Sequence, residues 1–208
     1  MNEPWTTAVR DSLVRWGGPA SWAAGLIWLL LWLHQRLAHG ATAVNEQRVV
    51  LGLTWLDSAK FLVFPLILLF LGLLGLYCQA LRHGWWERVA GVLTFAGLGM
   101  LIVATAAEFW SFPWGSYGFE FEEPLPRVAG MLQALASLLF TLGLIVLASA
   151  VVREKLVPFW AAAVLVLGGL TTFFLTPVSW MPGVAWLVLG GLLSRMNKRS
   201  GPVEAPAP

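Results

Sequence analysis

The sequence predicts an all-α integral membrane protein, a compact bundle of about six transmembrane helices with both termini on the cytoplasmic side. Three observations lead there. Of 208 residues, 58% are hydrophobic and 12% charged, against roughly 45–50% and about 25% in an ordinary globular domain. Six apolar stretches approach the about 20 residues that a helix needs to cross the hydrocarbon of a bilayer. Lysine and arginine gather in alternate connecting segments, as they do where cytoplasmic loops retain positive charge.

The stretches run over residues 19–37, 61–81, 89–107, 128–152, 156–175 and 177–193. The second to fifth are nearly free of charge. The first ends on His34, Gln35 and Arg36, and the sixth is short, with Pro182 near its start. Ala41-Thr42-Ala43 resembles a signal-peptidase site after the first stretch. Bulky Trp22, Trp28 and Trp32 and the intervening Arg36 argue instead for a retained helix. Residues 1–18 then form a cytoplasmic segment, 19–195 the transmembrane domain, and 196–208 a disordered cytoplasmic tail.

With the N-terminus inside, Arg10, Arg15, Arg82, Arg88, Arg153, Lys155, Arg195, Lys198 and Arg199 are cytoplasmic. Only Arg36, Arg48, Lys60 and Arg127 lie on the other side. Five spans would place the last basic cluster outside, so six fit better. The inner links, 82–88 and 153–155, are short enough to make antiparallel neighbours of the helices they join. Thr176 is the expected N-cap of the last helix, with Pro177 in its first position. Between the first two spans, Val49, Val50, Leu53 and Leu56 have helical spacing, which predicts an amphipathic helix over 44–56 lying on the membrane surface.

A shift of 71 positions lays the hairpin of the second and third spans over that of the fourth and fifth. Leu71-Gly72-Leu73 then meets Leu142-Gly143-Leu144, Arg82 meets Arg153, and Gly97 meets Gly168. A duplicated hairpin is one reading of this; chance matching among abundant Leu and Gly is the other. Small residues, Gly72 with Gly75, Gly97 with Gly99, Gly130 with Ala134, Gly168 with Gly169 and Gly190 with Gly191, fit close helix contacts.

Chemistry-bearing residues are sparse. No ionisable residue falls near the middle of a predicted span, where such groups mark ion and proton paths. Gln133 is the most polar of the membrane set, which also contains Thr94, Thr105, Ser137 and Thr141. An interhelical hydrogen bond is its ordinary role. Trp28 and Trp32, four apart on one helix face, offer rings to lipid, to a partner or to a flat apolar ligand. Residues 108–127 interleave aromatic rings with Glu108, Glu120, Glu122 and Glu123. They form an acidic outer loop whose ordinary reading is an aromatic belt with its acids in water.

His34, His39 and His83 lack the facing arrangement or ligand spacing that haem or zinc requires. Cys78, the single cysteine, has no CxxC partner. Signatures of hydrolases, zinc proteases and phosphate-binding loops are missing. The net charge of +2, with its cations dispersed, gives nucleic acid no footprint. No catalytic residue, metal or cofactor is implied.

The resulting expectation is a non-catalytic polytopic protein of a bacterial plasma membrane. It serves as an accessory or assembly subunit, or binds a hydrophobic molecule such as lipid, quinone or pigment. Its partners are the lipid bilayer and other membrane subunits or further copies of itself. A small transporter or channel for a neutral or cationic solute is the alternative. Candidate ligand contacts are Trp28, Trp32, Thr105 and Gln133, with the four glutamates at the outer rim.

Overall fold

The computed structural model describes residues 4–39, 51, 53, 60–80, 84–107, 124–174 and 179–199. Six α-helices are described: α1 (Pro4–His39), α2 (Val63–Ala80), α3 (Trp85–Ala106), α4 (Pro124–Arg153), α5 (Phe159–Phe174) and α6 (Met181–Arg199). Three contain segments long and apolar enough to cross a membrane, over Ala8–Leu37, Trp85–Ala106 and Met131–Arg153. Shorter apolar helices cover Val63–Gln79 and Phe159–Thr171. Length and composition together point to integration into a membrane.

Each helix packs against its neighbours in sequence, and α6 closes back on α1. The helix ring is further tied by α2, which also touches α4 and α6. Leu69, Leu73, Leu98, Phe140, Ala185, Trp186 and Leu189 are fully enclosed where the helices meet. Large apolar side chains remain outside as well, among them Leu30, Val92, Val103 and Leu138. Apolar groups on both faces of a helix need an apolar exterior as well as an apolar core.

Helix ends differ from those the sequence predicts. α1 begins at Pro4 rather than at residue 19 and passes through Gly17, Gly18 and Pro19. Pro19 lacks the N–H that would bond the Arg15 carbonyl. The two glycines are held there by contact: a Cβ on Gly17 would meet the Gly75 backbone at 3.1 Å, and one on Gly18 the Ser194 backbone nitrogen at 3.2 Å. At the other terminus α6 continues to Arg199, so residues 196–199, expected in a disordered tail, are helical. α6 starts at Met181, and Thr176 is therefore not its N-cap. Ser179 Oγ accepts a hydrogen bond from the Met181 N–H at 3.2 Å, and Pro182 sits in the first turn, which needs no N–H from it. The expected surface helix over 44–56 lies outside the described residues except for Leu51 and Leu53.

α1 and its neighbours approach closely along two stripes. Gly17 and Ser21 face Gly72 and Gly75 of α2, whereas Gly18, Trp22 and Gly25 face Gly183, Leu187 and Gly190 of α6. Between α3 and α4, a Cβ on Gly97 would lie 2.7 Å from Phe140 Cα, and one on Gly143 would lie 2.6 Å from Thr94 Cα. Two glycines of the predicted contact pairs behave otherwise. Gly99 and Gly191 have nothing within 4 Å of an added Cβ. Gly97 and Gly99 point about 200° apart and Gly190 and Gly191 about 100° apart, so in these two pairs only one glycine meets the adjacent helix.

Candidate functional site

The four candidate ligand contacts fall on two pairs of packed helices. Trp28 and Trp32 belong to α1, which packs on α2 and α6; Thr105 and Gln133 belong to the paired helices α3 and α4. Trp28 is buried, and its Nε1–H donates to the Ser179 carbonyl at 3.0 Å. The indole thereby ties the middle of α1 to the backbone just before α6. Trp32 is half-buried, Thr105 is buried and Gln133 half-buried. The acidic outer residues Glu108, Glu120, Glu122 and Glu123 lie outside the described residues.

At the opposite end the structure gathers groups that the sequence scatters. This end holds the starts of α1, α3 and α5 and the finishes of α2, α4 and α6, tied by polar bonds. Arg10 Nε donates to the Cys78 carbonyl at 3.2 Å, so a cation of α1 satisfies one of the last carbonyls of α2. Arg153 Nη2 donates to Glu87 Oε1 at 2.9 Å, joining the last turn of α4 to the first turn of α3. The inner link expected over 82–88 includes Glu87. This residue is instead the third of α3 after the N-cap Gly84, and it is buried.

The position of Glu87 follows from local chemistry. A carboxylate in the first turn meets the unsatisfied N–H groups and the positive end of the helix dipole. It folds back over the N-cap so closely that a Cβ on Gly84 would stand 2.9 Å from its carboxyl carbon. Oε2 is buried with no hydrogen-bond partner among the described residues. Arg153 therefore supplies the main counter-charge, at the position where a cation also suits the C-terminus of α4.

The chain leaves α4 through a Schellman turn. The Lys155 N–H bonds the Val152 carbonyl at 2.9 Å and the Leu156 N–H the Val151 carbonyl at 3.0 Å. Lys155 has φ 55°, the left-handed position that glycine usually takes. Just beyond, Phe159 and Trp160 are exposed at the start of α5, and across the ion pair Trp85 and Trp86 are exposed at the start of α3. The two tryptophans meet edge to face, with ring centroids 4.7 Å apart. A helix-bundle rim with exposed cations and amphipathic rings is what a membrane–water interface accommodates.

Among the described residues the buried polar groups are hydroxyls, the Gln35 amide, the Glu87 carboxylate and the indoles of Trp28 and Trp186. Thr94, Thr141 and Ser21 are buried, as is Trp186, whose ring lies 6.4 Å from that of Phe140. Comparison with protein-family models, with curated proteins and with solved structures finds no match for this chain.

Proposed function

We propose that the chain is a six-span membrane protein with both termini in the cytoplasm, acting as a non-catalytic component of the bilayer. In this reading it is an accessory or assembly subunit, or a holder of a hydrophobic molecule, and its work is done on its outer surface. The observation that carries it is the filled interior. Phe140, Leu98, Leu101, Trp186 and Leu189 are each no more than 1% exposed. Close packing of this kind among the described helices supports a dry bundle over a hydrated path. The shorter apolar helices α2 and α5 cross the bilayer in this reading.

The buried carboxylate Glu87 is engaged with Arg153 at the rim, which supports a structural rather than catalytic use. The duplicated hairpin has one supporting feature. Gly72 and Gly143 both face the preceding helix, and Gly97 and Gly168 both face the following one.

The test is purification in mild detergent from native membranes, followed by solvent extraction and reconstitution. The expected result is a stoichiometric apolar molecule or membrane subunit retained with the protein, and vesicles that remain tight to small solutes. Saturable solute flux through vesicles containing the pure protein would overturn the reading in favour of transport.

A further inference from the structure

We propose that the rim formed by the α4–α5 turn and the first turn of α3 binds the headgroup of an anionic phospholipid. Four observations bear on it. Among the described residues, exposed cations accumulate at this end of the bundle, namely Arg10, Arg15, Arg88, Arg153, Lys155 and Arg195, against one exposed acid, Asp11, with Glu154 half-buried in the α4–α5 turn. Two of them stand within two residues of the Glu87–Arg153 ion pair, which fixes the start of α3 beside the end of α4. The same rim exposes Trp85, Trp86, Phe159 and Trp160, rings suited to the depth of lipid glycerol and headgroups. Lys155, finally, occupies a left-handed turn position where glycine costs less, so a cation is placed where the backbone alone favours its absence.

Charge complementarity selects the occupant. A phosphodiester with a net negative headgroup satisfies exposed guanidinium and ammonium groups, while its acyl chains lie along apolar helix faces that carry Val92 and Val103 on α3. A zwitterionic lipid offers the same chains and no net charge. Each cation near such a surface contributes about a fivefold gain in affinity for anionic lipid.

The inference rests on the membrane reading, and the two fail differently. Release of the protein from membranes by alkaline carbonate would defeat the membrane reading itself. For protein that stays in the membrane, the full chain in neutral detergent is titrated with phosphatidylglycerol, phosphatidylcholine or glycerol phosphate. Bound lipid is counted by native mass spectrometry and thermal stability is followed alongside. The expected result is preferential binding and stabilisation by phosphatidylglycerol. Arg88→Gln and Lys155→Gln should each weaken it about fivefold, with Arg36→Gln, at the other end, matching the parent.

Lys155→Gly guards against a folding artefact, because it should melt higher than the parent in neutral detergent and still lose affinity for phosphatidylglycerol. Equal binding of both lipids, or full retention of preference in the Arg88→Gln/Lys155→Gln double variant, would overturn the proposal. Equivalent stabilisation by glycerol phosphate alone would assign the rim to a soluble anion and overturn it as well.

Discussion

Arg153 and Glu87, 66 positions apart in sequence, form a 2.9 Å ion pair in which one partner is exposed and the other enclosed. The Arg153 side chain is 61% exposed and that of Glu87 is 4% exposed. The asymmetry decides what each mutation does. A carboxylate that is desolvated without its cation is costly, whereas an exposed guanidinium without its anion is hydrated at once.

Arg153→Ala should therefore lower stability by about 1–3 kcal/mol, read as a drop in melting temperature in detergent. Glu87→Gln should cost less, because a neutral amide is cheaper to bury than a lone charge. The Glu87→Gln/Arg153→Ala double variant should be more stable than the sum of the two losses implies. Strict additivity of the losses would show that the pair contributes no coupling.

The glycines at the α3–α4 contact and Gly99 beside them offer an internal control. Gly97→Ala and Gly143→Ala force a Cβ into the backbone of the facing helix and should each cost about 1–3 kcal/mol. Gly99→Ala meets open space and should be neutral or stabilising by up to about 1 kcal/mol, the difference in helix propensity. Equal melting temperatures for Gly97→Ala and Gly99→Ala would show that the α3–α4 contact is looser than described.

Trp28→Phe keeps an aromatic ring but removes the donor to the Ser179 carbonyl together with part of the buried indole. The loss should be at least about 0.5–1.5 kcal/mol from the hydrogen bond, with a further cost for the buried volume removed, together with faster proteolysis near residue 179, where the chain enters α6. Unchanged melting and cleavage would mean that the indole hydrogen bond holds nothing in place.

The helices were legible because apolar runs of bilayer length have few alternatives in water-soluble folds. Their ends were not. Polar residues continue α1 and α6 beyond the apolar limits, and Gly17-Gly18-Pro19 looks like a break until α2 and α6 are seen against it. Composition could not separate Gly97 from Gly99, since only the helix that faces them does so. Glu87 sat beside His83 and Arg88 in what reads as a solvated loop, and its partner is on another helix. The signal that could have found it was position: an acid three residues after a glycine, at the start of an apolar run, is a helix N-terminus pattern. Trp28 was legible as a notable ring but not as a hydrogen-bond donor, because its acceptor is a backbone carbonyl 151 positions away.

The last prediction concerns sidedness, which the proposed function requires and which the cations allow to be tested residue by residue. Helix packing puts Lys155 and Arg88 at one end of the bundle, whereas Lys60 precedes α2 and so falls at the other. Segments rich in Lys and Arg are retained in the cytoplasm, so the end with Arg10, Arg88, Arg153, Lys155 and Arg195 should face inward. Cys78 is the only cysteine in the chain, and Cys78→Ser gives a background free of thiols. On that background, Lys60→Cys should react with a membrane-impermeant maleimide in intact cells. Lys155→Cys should react only after permeabilisation, and a reporter fused after Arg199 should be active only in the cytoplasm. Labelling of both cysteines from outside would eliminate the proposed topology, because α2, α3 and α4 separate the two positions by an odd number of crossings. Labelling of Lys155→Cys alone from outside would invert the bundle and remove the positive-inside argument on which the orientation stands.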